Sequence, residues 1–241
     1  EEAKADVKAE VKAEAAGQGT ILRAFVAGAS GAVGKALIRH LRNDKGFALV
    51  KSLGRREYKF GFEDEPEDPE RGEWLEQVVV DYEKLADTLG EQLAGLEVGF
   101  CCLGTTRKQA GSDAAFRRVD YDYVLEIAQL AKAQGCKKFL LVSSVGADAT
   151  SWFLYPRTKG QIENALKDLG FEKLVIYRPS VLDRGGETRF VEKISVPFMN
   201  LFSKYEVMPV GKLASVMIKH AHNPPEAAVT ILENPEIHRA A

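Results

Sequence analysis

Ile21-Leu22-Arg23-Ala24-Phe25-Val26-Ala27-Gly28-Ala29-Ser30-Gly31-Ala32-Val33-Gly34-Lys35-Ala36-Leu37 reads as a strand, a glycine-rich turn and the opening of a helix. The run Ile21 to Ala27 is apolar apart from Arg23, and Val33, Leu37 and Leu41 recur at i, i+4 and i+8 on one helical face. Between them Gly28, Gly31 and Gly34 stand at G-x-x-G-x-x-G spacing. Gly28 permits a tight turn, Gly31 lets backbone approach a diphosphate, and Gly34 lets the helix pack on the strand. The helix N-terminus, with Ala32 and Val33 in its first turn, then directs unpaired N–H groups at an anion. An ordinary structural turn also needs glycine. The place of this one, after the first strand of an alternating chain, makes it a candidate dinucleotide-binding turn.

The alternation continues downstream. Strand-like runs fall at Leu49 to Leu53, Val78 to Val80, Val98 to Leu103, Lys138 to Ser143 and Leu174 to Tyr177. Helical stretches fall between them: Leu85, Leu89, Leu93 and Leu96 mark one, Ser112-Asp113 to Gly135 a second, and Pro156 to Leu169 a third, stopped by Gly170. Strands and helices at this spacing predict right-handed βαβ units. The expected fold class is therefore α/β, a Rossmann-type doubly wound parallel sheet with a small C-terminal substrate-side region. Residues 1–19 read as a flexible or helical tail, 20–241 as a single NAD(P)-binding Rossmann domain, and 183–241 as its substrate side, with a helix near Leu213 to His220. Ligands of open parallel sheets sit at the carboxyl ends of the strands, where residues 183–210 are well placed.

Composition narrows the function classes. The 241 residues carry a formal net charge of −2, which gives no reason to expect direct nucleic-acid binding. Acid is concentrated in 1–14 and in 63–76, a Pro-containing stretch that reads as a surface loop; the remaining body holds 29 Lys and Arg against 22 Asp and Glu. Apolar runs such as Lys138 to Val142 are too short for a transmembrane segment. Cys101, Cys102 and Cys136 make no disulfide framework, and no Cys or His spacing resembles a metal site; His220 and His222 read as surface residues. A cytoplasmic address is the default, and an organellar one stands beside it because a removed targeting segment would leave no trace.

The second strand ends at Gly54-Arg55-Arg56. Dinucleotide folds choose between NAD and NADP here, about 20 residues past the glycines: an acid binds the ribose 2′-hydroxyl, arginine favours a 2′-phosphate. Two arginines and no acid predict NADPH/NADP, although adjacent surface arginines are often only solvated. The fourth strand ends at Leu103-Gly104, where glycine allows close backbone approach. Asp81 suits either the adenine end or a helix cap.

Tyr155 and Lys159 form Tyr-x-x-x-Lys at the start of a helix. A phenol is a poor base at neutral pH, and a nearby ammonium makes it better by stabilising phenolate. The same lysine can hold the nicotinamide ribose. The spacing is common by chance; its position after a strand ending in Ser143-Ser144 gives it weight. Either serine can donate to a substrate carbonyl oxygen or simply cap a turn. Together these residues suggest reduction of an unidentified small-molecule carbonyl or oxidation of an alcohol.

The sequence resembles the Tat-interactive protein family of atypical short-chain dehydrogenase/reductases. The similarity rests on Gly28-Ala29-Ser30-Gly31, Leu53-Gly54-Arg55-Arg56, Val98 to Arg107, Val119-Asp120, Asp122-Tyr123-Val124-Leu125, Ser143-Ser144, Gly146-Ala147-Asp148, Phe153-Leu154-Tyr155, Lys159-Gly160 and Arg178-Pro179. It implies NADPH held by Ser30, Gly31, Ala32, Val33, Arg55, Arg56, Leu103 and Gly104, with Tyr155 as proton acceptor and donor and Lys159 on the ribose. By position it adds Leu182 and Arg189 on the nicotinamide side. Pro156 and Arg157 inside the Tyr-x-x-x-Lys motif depart from the family pattern. A non-catalytic NADPH-binding regulator or assembly subunit, acting through a protein partner, is the alternative expectation.

Overall fold

Seven parallel strands form the main sheet in a computed structural model that describes residues 21–62, 72–183 and 206–241. In chain order the elements are β1 (Leu22–Ala27), α1 (Ala32–Asn43), β2 (Phe47–Gly54), β3 (Leu75–Val79), α2 (Leu85–Leu89), β4 (Val98–Cys101), α3 (Arg107–Ala110), α4 (Asp113–Arg117), a π turn (Arg118–Asp122), α5 (Tyr123–Ala133) and β5 (Lys138–Val142). There follow α6 (Leu154–Asp168), β6 (Lys173–Arg178), β7 (Leu182–Asp183), β8 (Met208–Pro209), α7 (Val210–His222), β9 (Val229–Glu233) and α8 (Asn234–Ala240). The sheet runs β3-β2-β1-β4-β5-β6-β9, so strand order reverses between β1 and β4; β7 and β8 pair separately. The Rossmann-type expectation is met.

The apolar run of β1 reflects burial on both faces, as a covered parallel sheet requires. Ala24 and Val26 face a core built with Leu37, Ile38 and Leu41 of α1 and Leu213 and Met217 of α7. Phe25 and Ala27 face the opposite core, with Leu85, Ile127 and Ile162 from α2, α5 and α6. One strand thus organises both layers.

Several boundaries differ from expectation. The helix expected through Leu96 stops at Leu89, gives way after Gly90 to a single 3-10 turn (Glu91–Leu93), and reverses at Gly95, whose φ is +72°. All four leucines still enter the core, so their spacing reported burial and not helix length. β3 starts at Leu75, three residues early, because an edge strand tolerates Glu76 and Gln77. The helix expected from 113 to Gly135 is interrupted by the π turn. β9 was not foreseen: its residues are half-buried or exposed and carry a weak apolar signal. The helix near Leu213 is present as α7. The 1–19 tail, residues 63–71 of the acidic loop, Arg189 and most of 183–210 lie outside the described residues.

Leu37 is fully buried where α1 meets β1 and α7. Leu37→Ala is expected to cost about 2–5 kcal/mol, read from urea denaturation; a loss below about 1 kcal/mol would refute this packing.

Candidate functional site

The reversal between β1 and β4 opens a crevice at the carboxyl ends of the strands. Gly28 sits there with φ +80°, and a Cβ on it would lie 2.8 Å from the carbonyl carbon and oxygen of Cys102. Glycine is therefore required twice, by conformation and by the approach of β4. The Gly31 N–H donates to the Gly28 carbonyl at 3.0 Å and closes the turn. A Cβ on Gly34 would meet the Gly28 oxygen at 2.3 Å, so α1 packs directly on the turn that launches it. Gly31 is the N-cap of α1 and brings no side chain, and no acid occupies the first turn. The first-turn N–H groups, from Ala32 and Val33 onward, are left without a side-chain cap. Ser30 and Gly31 are exposed beside them.

Arg55 and Arg56 are exposed at the end of β2. With Ala29, Ser30, Tyr58 and Phe60 they line a cleft of about 480 Å³, and no acidic side chain among the described residues takes part in it. Asp81 stays outside it; its carboxylate accepts from the Glu83 N–H at 3.0 Å and holds a local turn.

Across the reversal, α6 begins at Leu154, so Tyr155 and Lys159 are both helical and four residues apart. Lys159 is buried, with Nζ 2.7 Å from Asp120 Oδ1. The Thr105 N–H donates to Asp120 Oδ2 at 2.8 Å. A Cβ on Gly104 would lie 3.4 Å from Asp120 Oδ1 and 3.6 Å from Lys159 Nζ, so the chain three residues past β4, which ends at Cys101 and not at Leu103, lies directly against the pair. Burial works against the ammonium, but the charge of Asp120, with smaller help from Tyr155, more than offsets it and holds Lys159 above its ordinary pKa. Tyr155 is half-buried, its ring 5.9 Å from that of Phe116.

Asp120 had no assigned role in the sequence. The signal was present: Phe116, Asp120 and Val124 stand at i, i+4 and i+8 on a face that is otherwise apolar and buried.

The two serines differ. Ser143 donates its hydroxyl to buried Glu163 at 2.5 Å. Glu163 also accepts from Arg178, at 3.0 Å from Nε and 2.5 Å from Nη2, and Arg178 reaches Glu233 at 2.8 Å. Ser143 is thus part of a network joining α6, β6 and β9. Ser144, also buried, is 3.3 Å from the Val145 carbonyl oxygen. Behind Tyr155 and Lys159, a Cβ on Gly160 would come within 2.1 Å of the Ala149 nitrogen, which seats α6 on the loop after β5. Arg157 donates to the Ser151 and Trp152 carbonyls at 3.1 and 3.0 Å, stapling the turn before the helix. Leu182 lies in β7, paired with Met208 and packed on the first core; Arg189 is outside the described residues.

The remaining candidates fall away from the crevice chemistry. Burial pushes the Cys101 thiol up to about 11 and Cys136 up to about 12, and raises Cys102 well above its usual value, so all three are neutral near pH 7. The histidines are not plain surface residues: His220 Nδ1 lies 2.9 Å from the Tyr177 hydroxyl and His222 Nε2 2.9 Å from Asp44, both half-buried. No helix among the described residues is long and apolar enough to cross a membrane.

Comparisons with known proteins agree with this geometry. Residues 28–224 match a family described as NAD(P)H-binding. The chain is 42% identical over 220 residues to Protein HTATIP2 of Rattus norvegicus, covering 88% of this chain and 86% of that one. It is 34% identical over 158 residues to the mitochondrial Protein FMP52 of Candida albicans, covering 66% of each. In fold it is similar to DesIV, a dTDP-glucose 4,6-dehydratase from Streptomyces venezuelae with NAD and TYD bound, at TM-score 0.65 and 17% identity, covering 88% of this chain and 75% of that one. This chain belongs to the Tat-interactive protein (HTATIP2) family of NAD(P)H-binding proteins, on a Rossmann-type α/β fold.

Proposed function

We propose that the chain binds NADPH in the β1/β4 crevice and interconverts a carbonyl and an alcohol with Tyr155 as the proton-transfer group. The observation that carries this reading is the pairing of Tyr155 with a charged, buried Lys159 directly against Gly104, just past β4. The residues fit a dinucleotide. The N-cap at Gly31 leaves helix N–H groups open, and Asp120 Oδ1 is buried with no hydrogen-bond partner beyond the Lys159 charge.

When bound, the nicotinamide supplies hydride chemistry. Ser30, Gly31 and the N–H groups of Ala32 and Val33 bind the diphosphate, with Gly28 and Gly34 shaping the turn. Arg55 and Arg56 hold the 2′-phosphate in the cleft they line with Ser30 and Tyr58. Leu103 and Gly104 present backbone to the ring, and Lys159 orients the ribose. Tyr155 holds or moves the proton at the substrate oxygen, and Ser144 orients that oxygen. Ser143 supports the site through Glu163. Leu182 borders the nicotinamide side.

A second reading is favoured by Trp152, 95% exposed, and Phe153 next to it, on the turn that leads into Tyr155. Two adjacent exposed aromatic side chains offer a protein partner an apolar contact, and HTATIP2 is by name a Tat-interactive protein. In this reading a protein partner senses cofactor occupancy. The mitochondrial names of the yeast relatives support an organellar address over a cytoplasmic one, which imaging of the endogenous protein against a mitochondrial marker decides.

Replacing Arg55 and Arg56 with Ser is expected to weaken NADPH binding about 10- to 100-fold while changing NADH affinity little, measured by titration of nucleotide fluorescence. Equal losses for both nucleotides would sink the 2′-phosphate assignment. Tyr155→Phe is expected to lower NADPH-linked turnover across an aldehyde and ketone panel by about 10²- to 10⁴-fold with cofactor affinity nearly intact. Undiminished turnover rejects Tyr155. Absence of turnover in the parent, with partner binding that responds to NADPH and survives Tyr155→Phe, favours the sensing role.

A further inference from the structure

The ring of Tyr58 carries a cation on its face. Lys35 Nζ lies 4.8 Å from the ring centroid, and Tyr58 is part of the wall of the cleft that Arg55 and Arg56 line. We propose that Lys35 is a third cation of the 2′-phosphate site, and that Tyr58 is the positioning residue that holds its ammonium at the cleft wall. The pair then contributes, with the two arginines, to the choice of NADPH over NADH. The inference rests on the reading of Arg55 and Arg56 as the 2′-phosphate site and adds a residue to it.

The helix delivers Lys35 to this wall. Its N–H donates to the carbonyl of the N-cap residue Gly31 at 2.9 Å, so it stands in the first turn of α1. Helical side chains lean back toward the N-terminus. A stem rooted at Lys35 therefore leads toward the glycine turn, where Ala29 and Ser30 line the cleft. Buried Val33, Gly34 and Leu37 hold the helix beneath it.

Tyr58 is fixed from three directions. Its N–H donates to Gln77 Oε1 at 2.8 Å, its ring meets that of buried Phe60 edge-on at 5.3 Å between centroids, and Lys35 stands over it. Gln77 and Phe60 line the same cleft.

The Lys35 charge answers to no carboxylate among the described residues. Lys51, Lys137 and Lys159 each stand beside one, and Lys132, Lys138 and Lys219 donate to backbone carbonyls. Lys35 has a ring face instead. Such a face attracts an ammonium but leaves its N–H donors without the oxygen acceptors they take best. A phosphate supplies charge-assisted hydrogen bonds, and the flexible four-carbon stem lets the ammonium reach one while the helix stays in place. The ribose hydroxyl of NADH offers no comparable gain.

The test reads the ratio of NADPH to NADH affinity, from nucleotide fluorescence, on the full chain. Lys35→Met, which keeps an apolar stem, is expected to lower the preference for NADPH about 5- to 30-fold with NADH affinity little changed. Lys35→Arg keeps the charge and is expected to retain most of the preference. Tyr58→Leu is expected to lower it about 2- to 5-fold, and Tyr58→Phe, which keeps the ring face, to stay close to the parent. A role in folding alone would weaken both nucleotides alike and leave the ratio unchanged; that result for Lys35→Met overturns the proposal. A Tyr58→Leu ratio equal to the parent's overturns the positioning role of the ring. Loss of preference on replacing Arg55 and Arg56 with Ser, beside an unchanged ratio in Lys35→Met, removes the third cation and leaves the arginine assignment standing. A parent that binds both nucleotides equally overturns the arginine assignment and the third cation together.

Discussion

The carbonyl carbon of Cys102 stands where a side chain on Gly28 would have to be. This close approach of the β1 turn to the end of β4 sets much of the architecture. It requires glycine at one point, it starts α1 toward one face of the sheet, and it leaves the next connections to cover the other. The crevice is the space created where strand order reverses. The glycine turn, the arginine pair and the Tyr155 helix reach that space from three different strand ends.

Two buried ionic groups then fix the chemistry-bearing side chains. Asp120 and Lys159 hold one another across the π turn and α6. Glu163 joins Ser143 to Arg178 and, through it, to Glu233. Burying charges gains little stability by itself, yet removing one partner costs about 3–5 kcal/mol because the other is left exposed to a poor solvent. Such groups discriminate strongly between the right and wrong arrangement of the elements that carry them. α6 is tied by both, which suits the helix that presents Tyr155 and Lys159.

The elements written locally were legible in the sequence. Gly28, Gly31 and Gly34 declare their turn by spacing, and Arg55-Arg56 lie within a few residues of the strand end that positions them. Tyr155 and Lys159 needed only helical geometry, although the helix starts two residues earlier than Pro156 suggested. What could not be read depends on partners far apart in the chain. Ser143 looks the same as Ser144 until Glu163, 20 residues on, claims its hydroxyl. Gly160 looked like one more helical residue, and only the fold puts Ala149 against it. Asp120 was conspicuous as an acid on an apolar face, but its partner lies 39 positions away. β9 escaped notice because an edge strand that is half-exposed needs little apolar pattern.

The bond between Arg178 and Glu233 has a consequence for the order in which the molecule is made. Synthesis runs from the N-terminus, and early segments begin to fold before later ones exist. The glycine turn, the arginine pair and the β1/β4 crevice are all encoded before residue 105, while Glu233 is added more than fifty residues after Arg178. A nascent chain can therefore assemble its nucleotide-facing half while Arg178, on the sheet's temporary edge at β6, still waits for one of its two carboxylates. Until β9 docks, that edge is open to other chains, and the arrival of one late strand both closes it and completes the support beneath Ser143.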